Sequence, residues 1–283
     1  MEKISLVLEG GGMRGAYTAG VLSWFIEHGV EFDYIVGISS GALYGSMYAM
    51  KKQDALKKSS IDLATDKRNV GIRPLISEHS LVGYDFLFNI VQEETDYPIH
   101  KIDEIKSEME IGVYDIEGEE TIWVNQNDIA KHPDYVKAAC TLPVVGHSVV
   151  IEGKKYMDGG ITTMIPVNKS IEKGCTKHVI VTTKSKDYVR KDQGFLQKHL
   201  LRFLYRKSPR LVEDFESRRD VYYQERAQID QLVDDGQAIY LYPTKEYGVK
   251  RFGGDREKFE ALFDLAYQDC DARKEELLSF MKK

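Results

Sequence analysis

The chain has 283 residues, of which 42% are hydrophobic and 30% charged, and its formal net charge is −6. This composition suits a globular fold of one domain, or one domain plus an appended part. The negative charge argues against nucleic acid as a partner of the whole molecule. Three cysteines without a C-x-x-C pair argue against a disulfide framework or a zinc site. Because no signal-peptide pattern is visible either, we expect a cytoplasmic protein.

The first fifty residues predict two successive strand–helix units. Residues 4–8 form a short apolar run that predicts a buried strand, and residues 15–28 carry a helical pattern that stops at Gly29. A second strand is predicted over residues 32–36 and a second helix over residues 40–50. This alternation predicts parallel β-α-β units and therefore an α/β fold.

The rest of the chain has a mixed pattern. Residues 51–105 are rich in charge and predict an exposed helical insertion or a lid over the site. The later predicted strands are short apolar runs beside turn residues, at residues 110–124 in two runs about Gly118, 149–156 in a hairpin, 178–183 and 238–242. Helical patterns otherwise dominate after residue 185, where we place a domain boundary.

The first motif is the glycine-rich loop GGGMRG between the first strand and the first helix. Its candidate binding residues are Gly10, Gly11, Gly12, Arg14 and Gly15. Glycines let backbone N–H groups point at a ligand, and the start of a helix favours an anion or oxyanion. The loop also satisfies G-x-G-x-x-G, so a nucleotide-binding α/β oxidoreductase is an alternative, as is a plain turn. A dinucleotide site requires an acidic residue where the second strand ends, and this sequence has Val36 and Gly37 there.

The second motif is GISSG, a G-x-S-x-G centred on Ser39. It lies where the second strand becomes the second helix, which is the setting of a nucleophile elbow. Gly37 and Gly41 permit the strained turn that presents the Ser39 hydroxyl. The alternative is a tight strand–helix connection with a capping serine.

A serine nucleophile needs a base, which in a conventional triad is a histidine. None of the seven histidines lies in an obvious strand-end loop flanked by small residues, and His147 has the best setting among them. Asp158 is followed by Gly159 and Gly160, which let a carboxylate loop approach another loop closely. Taken alone, Asp-Gly-Gly is also a plain turn signal.

In this order the three motifs resemble the patatin-like phospholipase family of the bacterial type. That family combines a G-G-G-x-R-G oxyanion loop, a G-x-S-x-G nucleophile and a D-G-[GA] that carries the base. Residues 138–143 (AACTLP) are similar to the small-residue and proline stretch that precedes that aspartate in the family. The resemblance covers residues 4–183 and leaves the last hundred residues unsupported.

The resemblance implies a three-layer α/β sandwich with a mostly parallel central sheet as the catalytic domain, residues 1–185. The helical patterns after residue 185 separately predict that residues 186–283 form a largely helical extension packed on it. The implied activity is that of a lipid acyl hydrolase, of phospholipase A or esterase type, acting on a lipid or acyl ester without metal or organic cofactor. Ser39 would form an acyl-enzyme with Asp158 as its base. The amides of Gly11 and Gly12 would hold the oxyanion, and Arg14 would fix that loop or approach a phosphate.

Residues 198–210 (KHLLRFLYRKSPR) alternate basic with apolar side chains. A basic amphipathic helix lies well on an anionic bilayer, which predicts weak peripheral contact with membranes. The alternative is a helix packed on the core with a solvated basic face. The sequence leaves the oligomeric state open.

Overall fold

The computed structural model describes residues 2–66, 68–69, 76, 82–192 and 194–282. The strands in this part of the chain are β1 (Ile4–Leu8), β2 (Tyr34–Gly37), β3 (Glu108–Asp115), β4 (Glu120–Asn125), β5 (Val149–Ile151), β6 (Lys154–Asp158), β7 (Lys177–Val181) and β8 (Ala238–Leu241). Its α-helices are α1 (Ala16–Glu27), α2 (Ser40–Ala49), α3 (Gln53–Lys57), α4 (Tyr84–Glu94), α5 (Gln126–Lys131), α6 (Asp134–Cys140), α7 (Val167–Glu172), α8 (Phe195–Leu204), α9 (Pro209–Glu216), α10 (Arg218–Asp234), α11 (Arg256–Ala272) and α12 (Lys274–Phe280).

The strands form one mixed sheet in the order β5-β6-β3-β2-β1-β7-β8, with β4 paired to β3. The run β3-β2-β1-β7-β8 is parallel, whereas the β3–β4, β3–β6 and β5–β6 pairs are antiparallel. Leu8 at the end of β1 lies opposite Gly37 and Val181, so β1, β2 and β7 end at the same edge. In parallel sheets this carboxyl edge is where ligand sites form.

Hydrophobic side chains fill both faces of the sheet. Alternate residues of a strand point to opposite faces, so Leu6 and Leu8 pack with α1, α2 and α11, while Val7 packs with α10. Two helical layers therefore enclose the sheet, and the predicted three-layer α/β fold is confirmed.

The C-terminal part of the chain contributes a strand as well as helices. Strand β8 extends the sheet parallel to β7, at the position where the sequence predicts a strand. Helix α1 is tied to the segment around α11, because Tyr17 Oη donates to the Asp269 carboxylate at 3.0 Å and Trp24 Nε1 to Asp271 at 2.7 Å. The sheet and its helical layers thus include residues from both sides of position 185.

The expectation of an exposed insertion over residues 51–105 is wrong for the described part of that stretch, whereas the alternative of a lid stays a prediction. Leu56, Ile61, Val91 and Ile102 are buried in the main core. The charged side chains lie on the outer faces of the same short helices, where Lys58 pairs with Glu94 at 2.7 Å. Part of the predicted lid, at residues 67, 70–75 and 77–81, lies outside the described residues.

Candidate active site

Ser39 occupies a strained turn between β2 and α2. Its backbone has φ 54° and ψ −127°, a conformation that costs energy for any residue with a side chain and is typical of a nucleophile elbow. A Cβ atom at Gly37 would lie 2.5 Å from the Gly41 carbonyl oxygen, and one at Gly41 would lie 2.6 Å from that of Leu8. Both elbow glycines are therefore required by close backbone contact.

Asp158 ends β6 and faces the elbow from a neighbouring loop. Its Oδ1 accepts a hydrogen bond from the Gly160 N–H at 2.7 Å. A Cβ atom at Gly159 would lie 2.6 Å from the backbone of Gly112, so the Asp-Gly-Gly turn fits only without side chains. Oδ2 of Asp158 is buried and has no hydrogen-bond partner among the described residues. The Ser39 hydroxyl lies close enough to lower the pKa of Asp158.

The AACTLP stretch, residues 138–143, contacts both of these residues. The Thr141 carbonyl accepts the Asp158 N–H at 2.9 Å, and Cys140 Sγ donates to the Ser39 carbonyl at 3.3 Å. The same short segment therefore contacts both the elbow and the carboxylate loop, which fixes their separation.

Burial controls the charge of Asp158. It raises the pKa of the carboxyl to about 6, against the lowering effects of the Gly160 N–H, the Ser39 hydroxyl and the charges of Arg218 and Arg251. A carboxylate with this pKa is a stronger base than an ordinary aspartate and is still ionised at neutral pH.

The glycine-rich loop lies against the elbow, and only some of its backbone N–H groups form hydrogen bonds. The Gly10 N–H donates to the Met164 carbonyl at 3.2 Å, and the Gly11 N–H donates to Ser40 Oγ at 2.9 Å. Within the described ranges, the N–H groups of Gly12 and Ser40 form no hydrogen bond. These two amides are therefore free for an oxyanion, whereas the predicted donor Gly11 is already engaged.

Gly15 and Arg14, the other two candidate residues of the loop, pack within the protein. Gly15 packs so closely on Tyr44 that an added Cβ atom would lie 2.6 Å from its ring. Arg14 is half-buried, and its Nε has no hydrogen-bond partner in the described part of the chain.

The groups of the three motifs meet in one small cavity of about 10 Å³. That volume holds about one water molecule. Its lining residues are Gly10, Gly11, Gly12, Ile38, Ser39, Leu142, Asp158, Gly160, Met164, Arg218 and Arg251. The site is thus narrow, and an acyl ester fits only after some of these side chains move apart.

Three buried charged groups near the site have no counterpart in the motifs. Glu9, directly ahead of the glycine loop, accepts hydrogen bonds from the Thr183 N–H at 2.7 Å and from Lys184 Nζ. Glu225 of α10 accepts the N–H groups of Met164 and Ile165 at 3.1 and 3.0 Å, and burial raises its pKa to about 8. A charged residue at the end of a buried strand is a usable signal for Glu9, whereas no local pattern marks Glu225.

Arg218 and Arg251 also belong to the cavity wall, although they lie sixty and ninety-three residues after Asp158. Sequence reasoning missed both, because a single arginine on a helix or in a loop is usually a solvated surface residue.

Among the described residues, no histidine lines this cavity. His147, which has the best setting in the sequence, is exposed. His178 is buried elsewhere in the fold, with Nδ1 2.8 Å from Ser170 Oγ and 3.0 Å from Ser5 Oγ, and burial lowers its pKa to about 4. His79 lies outside the described residues.

Comparison with known families agrees with the order of the motifs. The family model for patatin-like phospholipases matches residues 6–169, more than half of the chain. The chain belongs to the patatin-like phospholipase family. The resemblance seen in the three motifs is thereby confirmed. A second model, described as a domain of unknown function (DUF6363), matches residues 208–282.

The individual proteins that this chain resembles are distant from it in sequence. It is 25% identical over 195 residues to the uncharacterized protein YjjU of Escherichia coli, a match that covers 64% of this chain and 52% of YjjU. It is 24% identical over 196 residues to lysophospholipase NTE1 of Candida albicans, covering 63% of this chain and 13% of NTE1. The matched region thus spans about half of one relative and a small part of the other.

Among solved structures, the chain is similar to VipD from Legionella pneumophila. The TM-score is 0.46 at 14% sequence identity, over 95% of this chain and 67% of VipD.

The raised pKa of Asp158 predicts an effect on stability. Because the folded-state pKa of about 6 exceeds the ordinary value of 3.8, the carboxyl favours the folded state below pH 3.8, and this contribution is lost as pH rises through 6. Asp158→Asn cannot ionise, so at pH 8 we expect it to raise the free energy of unfolding by roughly 1–3 kcal/mol over wild type. Urea unfolding at pH 4 and pH 8 measures this difference. The same wild-type-to-variant difference at both pH values would show that Asp158 is not destabilised by burial.

Proposed function

We propose that this chain is a serine acyl hydrolase, of phospholipase A or esterase type, with Ser39 as nucleophile and Asp158 as its base. The proposal is carried by one observation: a strained serine and a buried carboxylate with an unpartnered Oδ2 line the same small cavity. Family membership supports a lipid ester as the substrate class. The Candida albicans relative is itself named a lysophospholipase.

The proposed reaction begins when Asp158 Oδ2 takes the proton of the Ser39 hydroxyl as Oγ attacks the ester carbonyl carbon. The carbonyl oxygen becomes an oxyanion, which the free amides of Gly12 and Ser40 stabilise together with the positive end of α2. The tetrahedral intermediate collapses, Asp158 returns the proton to the leaving alcohol, and an acyl group stays on Ser39. Water activated by Asp158 then releases the fatty acid and restores both groups.

The glycine loop does not favour the alternative of a nucleotide-binding oxidoreductase. A Cβ atom at Gly11 would lie 2.5 Å from the Thr183 side chain, and one at Gly12 would lie 2.5 Å from the Arg251 carbonyl oxygen. The loop is thus covered by other segments, which leaves its glycines no open face for a pyrophosphate. Strand β2 also leads into the Ser39 turn instead of the acidic residue that a ribose requires.

Helix α8 is the part of the chain proposed to contact membranes. Leu201 is buried, whereas Phe195, Leu196 and Phe203 are 78%, 80% and 68% exposed. The exposed basic residues Arg206 and Lys207 follow directly. Exposed aromatic and aliphatic side chains beside basic ones match the chemistry of an anionic bilayer surface. No helix in the described ranges is both long and apolar enough to cross a bilayer.

Hydrolysis of a mixed lipid extract tests the nucleophile. Ser39→Ala should reduce ester turnover by about 10³-fold or more and abolish covalent labelling by a serine-directed phosphonate, because no other group replaces the attacking oxygen. Ser185→Ala is the matched control, since Ser185 binds Glu246 at 3.0 Å away from the cavity, and it should behave as wild type. Turnover that survives in a folded Ser39→Ala protein would remove Ser39 from the mechanism.

Vesicle binding tests helix α8. Wild type should bind phosphatidylglycerol vesicles weakly, and more weakly as salt is raised, because screened surface attraction falls with ionic strength. Replacing Phe195, Leu196 and Phe203 with glutamate should abolish this binding in a co-sedimentation assay. The control Val150→Glu changes an exposed apolar residue, 59% exposed, on β5 and should leave binding intact. Equal binding by both variants would show that α8 does not contact the membrane and is only a solvent-exposed helix.

A further inference from the structure

We propose that Arg218 and Arg251 form a subsite for the phosphate of the substrate, which makes acyl lipids with a net negative head group the preferred substrates. This inference rests on the proposed acyl hydrolase function and names its substrate class. Both arginines come from the region matched by the domain of unknown function, so the subsite also assigns that region a part in substrate choice.

Both arginines are fixed beside the reacting groups by the fold. Arg218 begins helix α10 and is only 6% exposed. The backbone of Arg251 is held on the glycine loop, because its carbonyl accepts the Met13 N–H at 3.0 Å. Each lines the cavity that contains Ser39 and Asp158, so a ligand atom in that cavity meets them directly.

Arg218 is buried and Arg251 is partly exposed, and neither guanidinium group has a hydrogen-bond or ion-pair partner among the described residues. Among the described residues, no carboxylate oxygen lies within the 4.0 Å limit of an ion pair to Arg218 or Arg251. Nε of Arg218 is buried without a hydrogen bond, and its guanidinium carbon lies 4.6 Å from the centre of the Phe215 ring. The next residue, Arg219, is exposed and pairs with Asp192 at 3.2 Å. A buried cation without a partner is strongly unfavourable, which is the signature of a place that an anionic ligand fills.

Positive charge exceeds negative charge around the cavity. Burial lowers the pKa of Arg218 well below its usual range, and the charges of Arg251 and Arg190 lower it further. The pKa of Arg251 is also lowered, first by burial and then by the charges of Arg14 and Arg190. The carboxylates of Asp158 and Glu225 raise the pKa of Arg218 and so oppose the lowering by burial and by the arginines. Of the charged residues that line the cavity, two are arginines and one is a carboxylate, the proposed base.

A phosphate group matches this arrangement better than other anions of a lipid. A guanidinium presents a planar fork of N–H donors that fits two phosphate oxygens, and the resulting hydrogen bonds are charge-assisted. In a glycerophospholipid only the short glycerol unit separates the phosphate from an acyl ester. A phosphate held by Arg218 and Arg251 therefore leaves the ester within reach of Ser39. The quaternary ammonium of a choline head group would instead add a cation to a cation-rich region.

Three lysolipids with the same acyl chain test the subsite in the full-length protein. Wild type should hydrolyse lysophosphatidic acid with a kcat/KM about tenfold or more above those for lysophosphatidylcholine and the uncharged monoacylglycerol. Arg218→Gln and Arg251→Gln should each lower the ratio of kcat/KM for lysophosphatidic acid to kcat/KM for monoacylglycerol by about tenfold or more. Arg218→Lys should recover part of the loss. The matched control Arg219→Gln should change none of the three rates.

Two outcomes would overturn the subsite. If Arg218→Gln slows all three lipids equally and shifts the acidic limb of every pH profile, the arginine acts by stabilising ionised Asp158. If inorganic phosphate raises the Tm of the protein but wild type shows no preference among the lipids, the anion bound there is not a lipid head group.

A binding experiment separates this inference from the proposed function. Glycerol 3-phosphate should raise the Tm of Ser39→Ala and should have no effect on Ser39→Ala/Arg218→Gln. If wild type hydrolyses no ester while glycerol 3-phosphate still raises the Tm of Ser39→Ala, the hydrolase is refuted and the anion subsite stands. Ester hydrolysis without charge preference, and without a Tm shift by glycerol 3-phosphate, would refute the subsite alone.

Discussion

Direct contact between backbones at the carboxyl edge of the sheet sets the position of the candidate site. A Cβ atom at Gly41 would lie 2.6 Å from the Leu8 carbonyl oxygen, and one at Gly159 would lie 2.6 Å from the Gly112 backbone. The elbow and the carboxylate loop therefore rest on the sheet itself, with no flexible side chain between them. Chemical groups carried on such rigid elements are held in place without further support. The glycines of the three motifs are explained by this packing as much as by ligand binding.

Burial has opposite consequences for stability and for chemistry at this site. It raises the pKa of Asp158 to about 6, which costs stability at neutral pH and strengthens the carboxylate as a base. The C-terminal part of the chain also contributes buried charged residues to this site. Glu225 holds the backbone of Met164, whose carbonyl in turn accepts the Gly10 N–H, while Arg218 favours the ionised form of Asp158. The proposed nucleophile, the proposed base and the glycine loop thus depend on residues from a region that the motifs do not reach.

The sequence predicts what is encoded locally. The apolar run of residues 4–8 coincides with β1, and the glycine motifs mark the turns that the structure places at one edge of the sheet. Residues 51–105 were misread because their charges alternate with apolar residues that face the core. Arg218 and Arg251 were missed because their burial depends on tertiary packing. The engagement of the Gly11 N–H by Ser40 Oγ likewise depends on side-chain geometry that no motif specifies.

The central claim is that a carboxylate, without a histidine, activates Ser39. A pH profile alone cannot separate the two bases, because a pKa of about 6 for Asp158 lies close to that of imidazole. The most direct measurement is the ester hydrolysis rate of eight folded variants: each of the seven histidines replaced singly by glutamine, and Asp158→Asn. We expect substantial turnover in every histidine variant and almost none in Asp158→Asn, because an amide cannot accept the proton. Loss of activity in any one histidine variant, His147→Gln above all, to the level of Asp158→Asn would contradict the dyad and require a triad.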